Sequence, residues 1–246
     1  MFYLIGIDDT DNENAPCTGQ LGWELGLVLE TLGYCRLLSV TRHMLLQDHS
    51  ITGNRENAAA CLLIESDLEH RRDLELACRQ YLLRNSAKGA EPGYALAPWS
   101  QLTPAISTWG KLAKQEALKR VDAMHLARST GISAAGLAGT GRGVIGALAA
   151  IGLFHTGSDG RYYWLPGLRD LNGIYTVDEL MTACPFDRLE NRYGRRPIPR
   201  DRIFIDGWAR PILRDGKALL LLEASEKGSP YEWETLNRDE VESLAQ

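Results

Sequence analysis

Three carboxylates and a hydroxyl stand within four positions, Asp8-Asp9-Thr10-Asp11, directly after the run Phe2-Tyr3-Leu4-Ile5-Gly6-Ile7. β-Branched and aromatic residues in that run predict a strand up to Ile7. A core strand needs no acids, and carboxylates that converge repel one another. Their clustering at a strand end therefore points to a shared cation, most simply Mg²⁺ on oxygen ligands from Asp8, Asp9 and Asp11. An Asp-rich turn that merely ends a strand accounts for the same residues without a metal. A second stretch with chemistry in it is Gly136-Leu137-Ala138-Gly139-Thr140-Gly141-Arg142-Gly143, which runs on through small and apolar residues to Gly152. Backbone N–H groups at the start of such a helix can bind an anion, and Arg142 adds a side chain suited to phosphate. The stretch is not a Walker A loop, which needs Gly-Lys-Ser or Gly-Lys-Thr, nor a Rossmann fingerprint after a convincing strand. A glycine-rich connection that lets a buried helix pack closely is the alternative.

Around these residues the periodicity predicts the elements that must place them. Apolar residues at helical spacing follow Thr18, the expected N-cap, as far as Leu29. A strand over Cys35 to Val40, a polar loop from Thr41 to Asn57 and a strand over Ala58 to Ile64 come next. Continuous apolar strands separated by helices predict an α/β sheet covered on both faces, with ligand sites in the loops at the strand ends. Asp67 caps a helix through Leu83, whose charges of alternating sign read as a solvated face. Asn85 to Pro98 is a turn-rich loop bordering the site. Leu102 to Val121 reads as a helix that Ala123 to Arg128 continues and Gly131 ends. Later strands are expected at Arg161 to Leu165, Ile203 to Ile205, Pro211 to Leu213 and Ala218 to Leu222, with Asp215-Gly216 as a hairpin turn. Short helices are expected at Thr176 to Thr182 and Arg238 to Ala245. Between them the Pro185 to Arg200 loop concentrates arginines around Tyr193, a ribbon that suits RNA or polyphosphate as well as it suits plain solvation.

Composition bounds the rest. The 246 residues are 44% hydrophobic, enough for a real core, and the net charge of −5 excludes a protein whose whole surface tracks nucleic acid. Five cysteines, odd in number and without a CxxC pair, indicate neither a disulfide framework nor a zinc ribbon. No charged leader precedes the first apolar run and no apolar stretch approaches spanning length, so a soluble cytoplasmic protein without a membrane partner is expected. His43 and His49 fall in the loop that could reach the acidic turn, and Trp99 and Trp208 fall near loops where a base could stack.

Taken together, Gly6-Ile7-Asp8-Asp9-Thr10-Asp11, Cys17-Thr18, Thr52-Gly53-Asn54-Arg55-Glu56-Asn57 and the Gly141 to Gly152 run resemble, in order and separation, the archaeal tRNA agmatinylcytidine synthetases. The resemblance covers about the first 195 residues. It implies a kinase-like α/β N-terminal domain over residues 1–117 and a ferredoxin-like α+β domain over 118–246, the latter carrying the glycine-rich phosphate loop and a C-terminal β extension. It further implies ATP and Mg²⁺, phosphorylation of an anticodon cytidine, and displacement of that phosphate by agmatine. On this reading Asp8, Asp9 and Asp11 hold the metal and the triphosphate together with Thr10. Thr18 matches a threonine that takes a phosphoryl group, its helix N-terminus favouring the anion. Arg142 with the backbone of Gly141 and Gly143 contacts phosphate. Asn54 and Arg55 correspond to a Thr-Arg-Gly-Asn segment whose order is altered here.

The zinc-ribbon spacing and OB-fold length that serve tRNA binding in that family are not found in this sequence. The expectation is therefore an ATP- and Mg²⁺-dependent kinase- or ligase-like transferase that activates an oxygen of a small-molecule acceptor rather than RNA. Phosphoryl transfer asks mainly for positioning and charge neutralisation, which these residues could supply. Two alternatives stand beside it: a tRNA-modifying enzyme acting on an anticodon cytidine, and a non-catalytic nucleotide-binding or assembly protein. A homodimer is left open.

Overall fold

In the computed structural model of the chain, which describes residues 1–48, 56–207 and 209–244, the residues divide into two compact units, Met1–Thr156 and Gly157–Gln246. In the first, β1 (Phe2–Asp8) lies between β3 (Ala58–Glu65) and β4 (Gly93–Pro98), antiparallel to both. β2 (Arg36–Met44) extends the sheet beyond β3 and β5 (Ser133–Gly136) extends it beyond β4, again antiparallel. Tyr3, Leu4, Ile5 and Ile7 are wholly buried because helices cover both faces. Successive strand residues point to opposite faces. Ile7 meets Gly22 of α1 (Thr18–Thr31), whereas Gly6 meets Ala147 of α5 (Gly143–His155). α2 (Arg71–Asn85) packs beside α1 and on β4. The chain order β1-α1-β2-β3-α2-β4, with the strands side by side as β4-β1-β3-β2, is the split β-α-β arrangement of ferredoxin-like folds, here in residues 2–98.

α5 is apolar all round and buried from Val144 to Phe154 apart from Ile145, as a helix without a solvent face must be. One side lies on β1, β3 and β4, and α3 (Pro104–Ala113) with α4 (Arg120–Thr130) covers the other. Its contact with the sheet is backbone on backbone. A Cβ built on Gly6 would fall 1.9 Å from the Ala147 carbonyl oxygen, and one on Gly93 would fall 2.1 Å from the Gly143 carbonyl carbon. No side chain larger than hydrogen fits at either crossing.

In the second unit β11 (Lys217–Ala224) is flanked along one edge by β10 (Ile212–Arg214) and β12 (Trp233–Thr235), and along the other by β8 (Arg188–Asn191) running parallel to it. β10 also pairs with β6 (Arg161–Trp164), and β12 with β9 (Arg202–Ile205), which pairs in turn with β7 (Gly173–Thr176). Asp215 and Gly216, at φ 54° and 70°, make the tight β10–β11 turn that their types predict. Thr176 and Glu179 form a reciprocal capping box on α6 (Val177–Ala183), and α7 (Arg238–Leu244) follows β12.

The mixed α/β class is as expected, but four details differ. The compact units divide after Thr156 and not after residue 117, because α5 packs across the N-terminal sheet. The stretch read as a loop before Pro98 contains β4, all six residues of which are buried; Pro92 and Pro98 bracket it and mask the strand signal. β2 continues to Met44, since its polar Thr41 and His43 satisfy each other. Thr41 Oγ1 donates to the Cys61 carbonyl at 3.2 Å, which leaves His43 Nε2 as the donor to Thr41 Oγ1 at 2.8 Å. The long helix expected over 102–128 breaks between α3 and α4, where the Ala113 carbonyl accepts the N–H of Leu46 at 2.9 Å. No helix among the described residues is long and apolar enough to cross a membrane.

The Gly6 crossing predicts that Gly6→Ala is destabilised by about 3 kcal/mol, near the upper end of the range for overpacking, with a thermal midpoint about 6–12 °C lower. Gly33→Ala, where φ is 75° and nothing lies within 4 Å of the new Cβ, should lose only about 1 kcal/mol of left-handed strain. Equal midpoints for the two variants in differential scanning calorimetry would refute the backbone contact.

Candidate functional site

The acidic turn is built by what holds it from either side. Asp9 takes a left-handed backbone, φ 53°, which turns the chain sharply out of β1. The Thr10 carbonyl accepts the N–H of Ala87 at 2.8 Å, and Asn12 donates to the Lys88 carbonyl at 3.3 Å, tying the turn to the segment that follows α2. Thr10 Oγ1 donates to Thr18 Oγ1 at 3.0 Å, and both residues are buried. Thr18 is the first helical residue and not the cap. Cys17 holds the cap position without a side-chain bond, and the Asp11 carboxylate accepts the N–H of Thr18 at 3.3 Å. An acid from the turn thus satisfies one orphan donor of α1 and complements its positive end.

The glycine-rich loop arrives beside the same turn because α5 crosses β1 and β4 so closely. Gly143 donates to the Glu91 carbonyl at 3.2 Å and Leu137 to the Pro92 carbonyl at 2.7 Å. Gly139 and Gly141 take φ of 55° and 72°, and a Cβ on Gly139 would collide with the Glu91 side chain. That side chain is the loop's present anion. Thr140 donates its hydroxyl to the Glu91 carboxylate, which also takes backbone N–H groups of Thr140 and Arg142 and faces the Arg142 charge. These contacts, the Thr140 hydroxyl foremost, hold the Glu91 carboxyl below its usual range.

Between loop and turn lies a cleft of about 340 Å³. Among the described residues its lining contains six carboxylates, those of Asp8, Asp9, Asp11, Glu56, Glu91 and Glu116, against one cationic side chain, Arg142. Arg42 neutralises Glu56 in part from 2.7 Å. Burial lifts Asp8 from an ordinary value near 3.8 to about 8; the charges of Asp9 and Asp11 add to this and the Asp9 backbone N–H opposes it. A Cβ on Gly146 would stand 2.0 Å from Asp8 Oδ2, so a glycine one turn into α5 makes the room that this carboxyl fills. Among the described residues no three His, Cys, Asp or Glu side chains converge as a complete metal cage. Mg²⁺ needs none, since it is commonly held by one or two carboxylates together with substrate phosphates. A lining this acidic admits a polyphosphate only with cations to offset the repulsion. The donor set fits Mg²⁺ carried in with a nucleotide.

Of the residues singled out by sequence, Asp8, Asp9, Asp11, Thr18, Arg142 and Gly143 line this cleft. Thr10 stands behind Thr18, and Gly141 lies in the turn of the loop, its N–H on the Ala138 carbonyl at 2.9 Å. Asn54 and Arg55 lie outside the described residues, as do His49 and Trp208. His43 is fully buried in β2 and packs edge-on against Phe154; it does not line the cleft. Trp99 packs edge-on against Phe154 and His155, again away from the cleft. Glu56, Glu116 and Gly146 join the lining although sequence reasoning assigned them no site role: Glu56 and Gly146 stand inside the Thr52 to Asn57 and Gly141 to Gly152 motifs, and Glu116 inside the stretch read as a helix over Leu102 to Val121.

No family model matches the chain. The 2-agmatinylcytidine synthetase TiaS of Methanosarcina mazei, named for an isoleucine tRNA, is 30% identical over 154 residues, 61% of this chain and 35% of that protein. Its counterpart in Pyrococcus horikoshii is 27% identical over 207 residues, 83% of this chain and 43% of that protein. The chain therefore matches less than half the length of these curated relatives. Among solved structures, the complex of TiaS with isoleucine tRNA and ATP superposes with a TM-score of 0.55 at 24% identity, over 62% of this chain and 36% of that one. The complex of TiaS with isoleucine tRNA, AMPCPP and agmatine gives 0.53 at 23%, with the same coverage. The similarity to tRNA agmatinylcytidine synthetases that the motifs imply is thus found in sequence and in fold.

One expectation is overturned here. A small-molecule acceptor in place of RNA follows from tRNA-gripping modules not found in the sequence, yet the relatives that match are named for an isoleucine tRNA and two of the similar structures contain it.

The raised Asp8 carboxyl sets a pH dependence in cation-free buffer. With the folded value near 8 and the ordinary one near 3.8, the folded state binds the proton more tightly, so this group's contribution to stability declines as pH rises from about 4 to 8. The thermal midpoint of Asp8→Asn relative to wild type should therefore climb through that window and be highest at pH 8. A variant less stable than wild type at pH 8 would contradict it.

Proposed function

We propose that this chain carries the ATP-dependent step of a tRNA-modifying enzyme, in which a cytidine oxygen is phosphorylated and an amine of the agmatine class then displaces it. The observation that carries the reading is the convergence of Asp8, Asp9, Asp11, Thr18, Arg142 and Gly143 on one cleft from two distant stretches of sequence. The relatives' name places agmatine at position 2 of cytidine, so the oxygen to be activated is the 2-carbonyl. As that oxygen bonds to phosphorus, the phosphoryl group's bond to the nucleotide breaks. The amine nitrogen then attacks C2, and the C2–O bond breaks with release of phosphate.

Little covalent chemistry is asked of the protein. One or two of Asp8, Asp9 and Asp11 would hold Mg²⁺, whose charge would neutralise the phosphates when it is bound. Arg142 and the N–H groups of the loop offer a fixed positive end for the transferring group. Asp11 holds the start of α1 in place, and Thr10 orients the Thr18 hydroxyl at the cleft wall. Phosphate entering the loop must displace the Glu91 carboxylate from donors that it now occupies. Burial of Asp8 against α5 suits it to hold or pass a proton once the cleft is filled.

The test is agmatine incorporation into a transcript of that isoleucine tRNA by the full chain with ATP and Mg²⁺. Asp9→Asn should lower turnover by about 10²–10³-fold, as does loss of a group that stabilises developing charge, and Arg142→Ala should act chiefly by raising KM for ATP. Unchanged turnover in Asp9→Asn sinks the proposal. Separately, Glu91→Gln removes one negative charge from the phosphate path, and calorimetric titration should show ATP bound a few-fold more tightly; weaker binding would mean that Glu91 shapes the loop for phosphate and does not compete with it.

A further inference from the structure

The connection from β8 to β9 reads Arg192-Tyr193-Gly194-Arg195-Arg196-Pro197-Ile198-Pro199-Arg200-Asp201, four arginines against one acid, in a chain whose net charge is −5. It is a built turn. At its base the Asn191 side-chain oxygen accepts the N–H groups of Tyr193 and Arg195 at 3.0 and 2.9 Å. The Asn191 backbone N–H goes to the Arg195 carbonyl and its carbonyl takes the N–H of Gly194, both at 2.9 Å, with Gly194 at φ 79° closing the turn. At the far end the Asp201 carboxylate accepts the N–H of Ile198 at 3.0 Å and the indole N–H of the buried Trp233 at 2.7 Å. The Arg195 guanidinium lies over that indole, 5.5 Å from its centroid. Pro197 and Pro199 restrict the backbone between the two anchors.

The result is a ring held outward. Tyr193 is 86% exposed at the tip, so its apolar face gains nothing from the fold. The arginines beside it are committed only weakly. Arg192 meets Glu240 at 3.2 Å and Arg196 meets Glu190 at 3.6 Å across solvent that screens such pairs, and no ion pair forms at Arg200 among the described residues. Planar cations spaced around an outward aromatic face, on an otherwise acidic chain, match one ligand chemistry: phosphates for the guanidinium groups and an unpaired base for the ring. An acidic protein surface would satisfy the arginines but would leave the tyrosine face without a flat partner.

We propose that this turn is an RNA contact, with Tyr193 stacking on an unpaired base while Arg192, Arg196 and Arg200 hold the flanking phosphates. The assignment rests on the tRNA reading above and adds the surface by which the second unit would take part in it. The test is fluorescence anisotropy of the full chain with a labelled isoleucine tRNA transcript from about 50 to 300 mM salt, with ATP affinity measured alongside. The double variant Arg196→Ala/Arg200→Ala should bind about tenfold more weakly and reduce the slope of log affinity against log salt by about 1.4–1.8, two phosphate contacts at about 0.7–0.9 each. Tyr193→Ala should weaken binding by about tenfold with the slope unchanged. Tyr193→Phe should bind as wild type, and all variants should keep wild-type ATP affinity. Loop variants that bind tRNA with wild-type affinity and slope overturn this contact and leave the tRNA reading intact. A wild-type chain that binds ATP but no tRNA overturns both.

Discussion

Backbone meets backbone where α5 crosses β1 and β4, and the candidate site depends on that contact. A helix with ordinary side chains at this crossing would stand further from the sheet, held off by the side chains between the two backbones. Glycines at Gly6, Gly93, Gly143 and Gly146 remove the spacers. The helix start then descends to the level of the strand ends, and the loop before it lies within hydrogen-bonding reach of Glu91 and Pro92. The same absence of side chains opens the space into which Asp8 turns. Packing and chemistry are here one constraint: a methyl group that loosened the helix would also move the loop away from the acids.

Charge explains why the cleft is arranged as it is. Among the described residues, six carboxylates facing one arginine make a poor pocket for a bare anion and a good one for an anion that brings cations with it. Desolvation raises Asp8 while hydrogen bonds lower Glu91, so two acids of one cleft are driven in opposite directions by their surroundings. Glu91 presents an acceptor to donors that suit a phosphate, and Asp11 does the same at the start of α1. Carboxylates of the protein thus occupy the donors at the start of α1 and in the glycine-rich loop.

The solved structures match 62% of the chain, and a likeness at 23–24% identity speaks to fold alone. The second unit has its own spine in β11, with parallel pairing on one edge and antiparallel on the other. Its arginine-rich turn was visible as composition. That it is a rigid turn over Trp233, with its ring outward, became visible only when Asn191 and Asp201 were seen to anchor it.

From the sequence alone come the facts that depend on each residue and its near neighbours. Uninterrupted apolar runs at Ala58 to Ile64 and in β1 report burial on both faces, acids at Asp8 to Asp11 report the end of a strand, and Asp215-Gly216 reports a tight turn. Burial leaves no mark of strand direction, so the same runs that suggest a doubly covered sheet do not say that its first-unit strands are all antiparallel or that β1 lies between β3 and β4. Proline and glycine at the ends of β4 hid a central strand, because local turn chemistry there is outweighed by pairing with β1 and β5. Only the tertiary structure decided that Thr10 bonds to Thr18, that Gly146 makes room for Asp8, that Glu56 and Glu116 join the cleft, and that α5 belongs with the first sheet. Each of these is a contact between residues far apart in the chain, and contacts of that kind are set by how elements pack together, which no local pattern records.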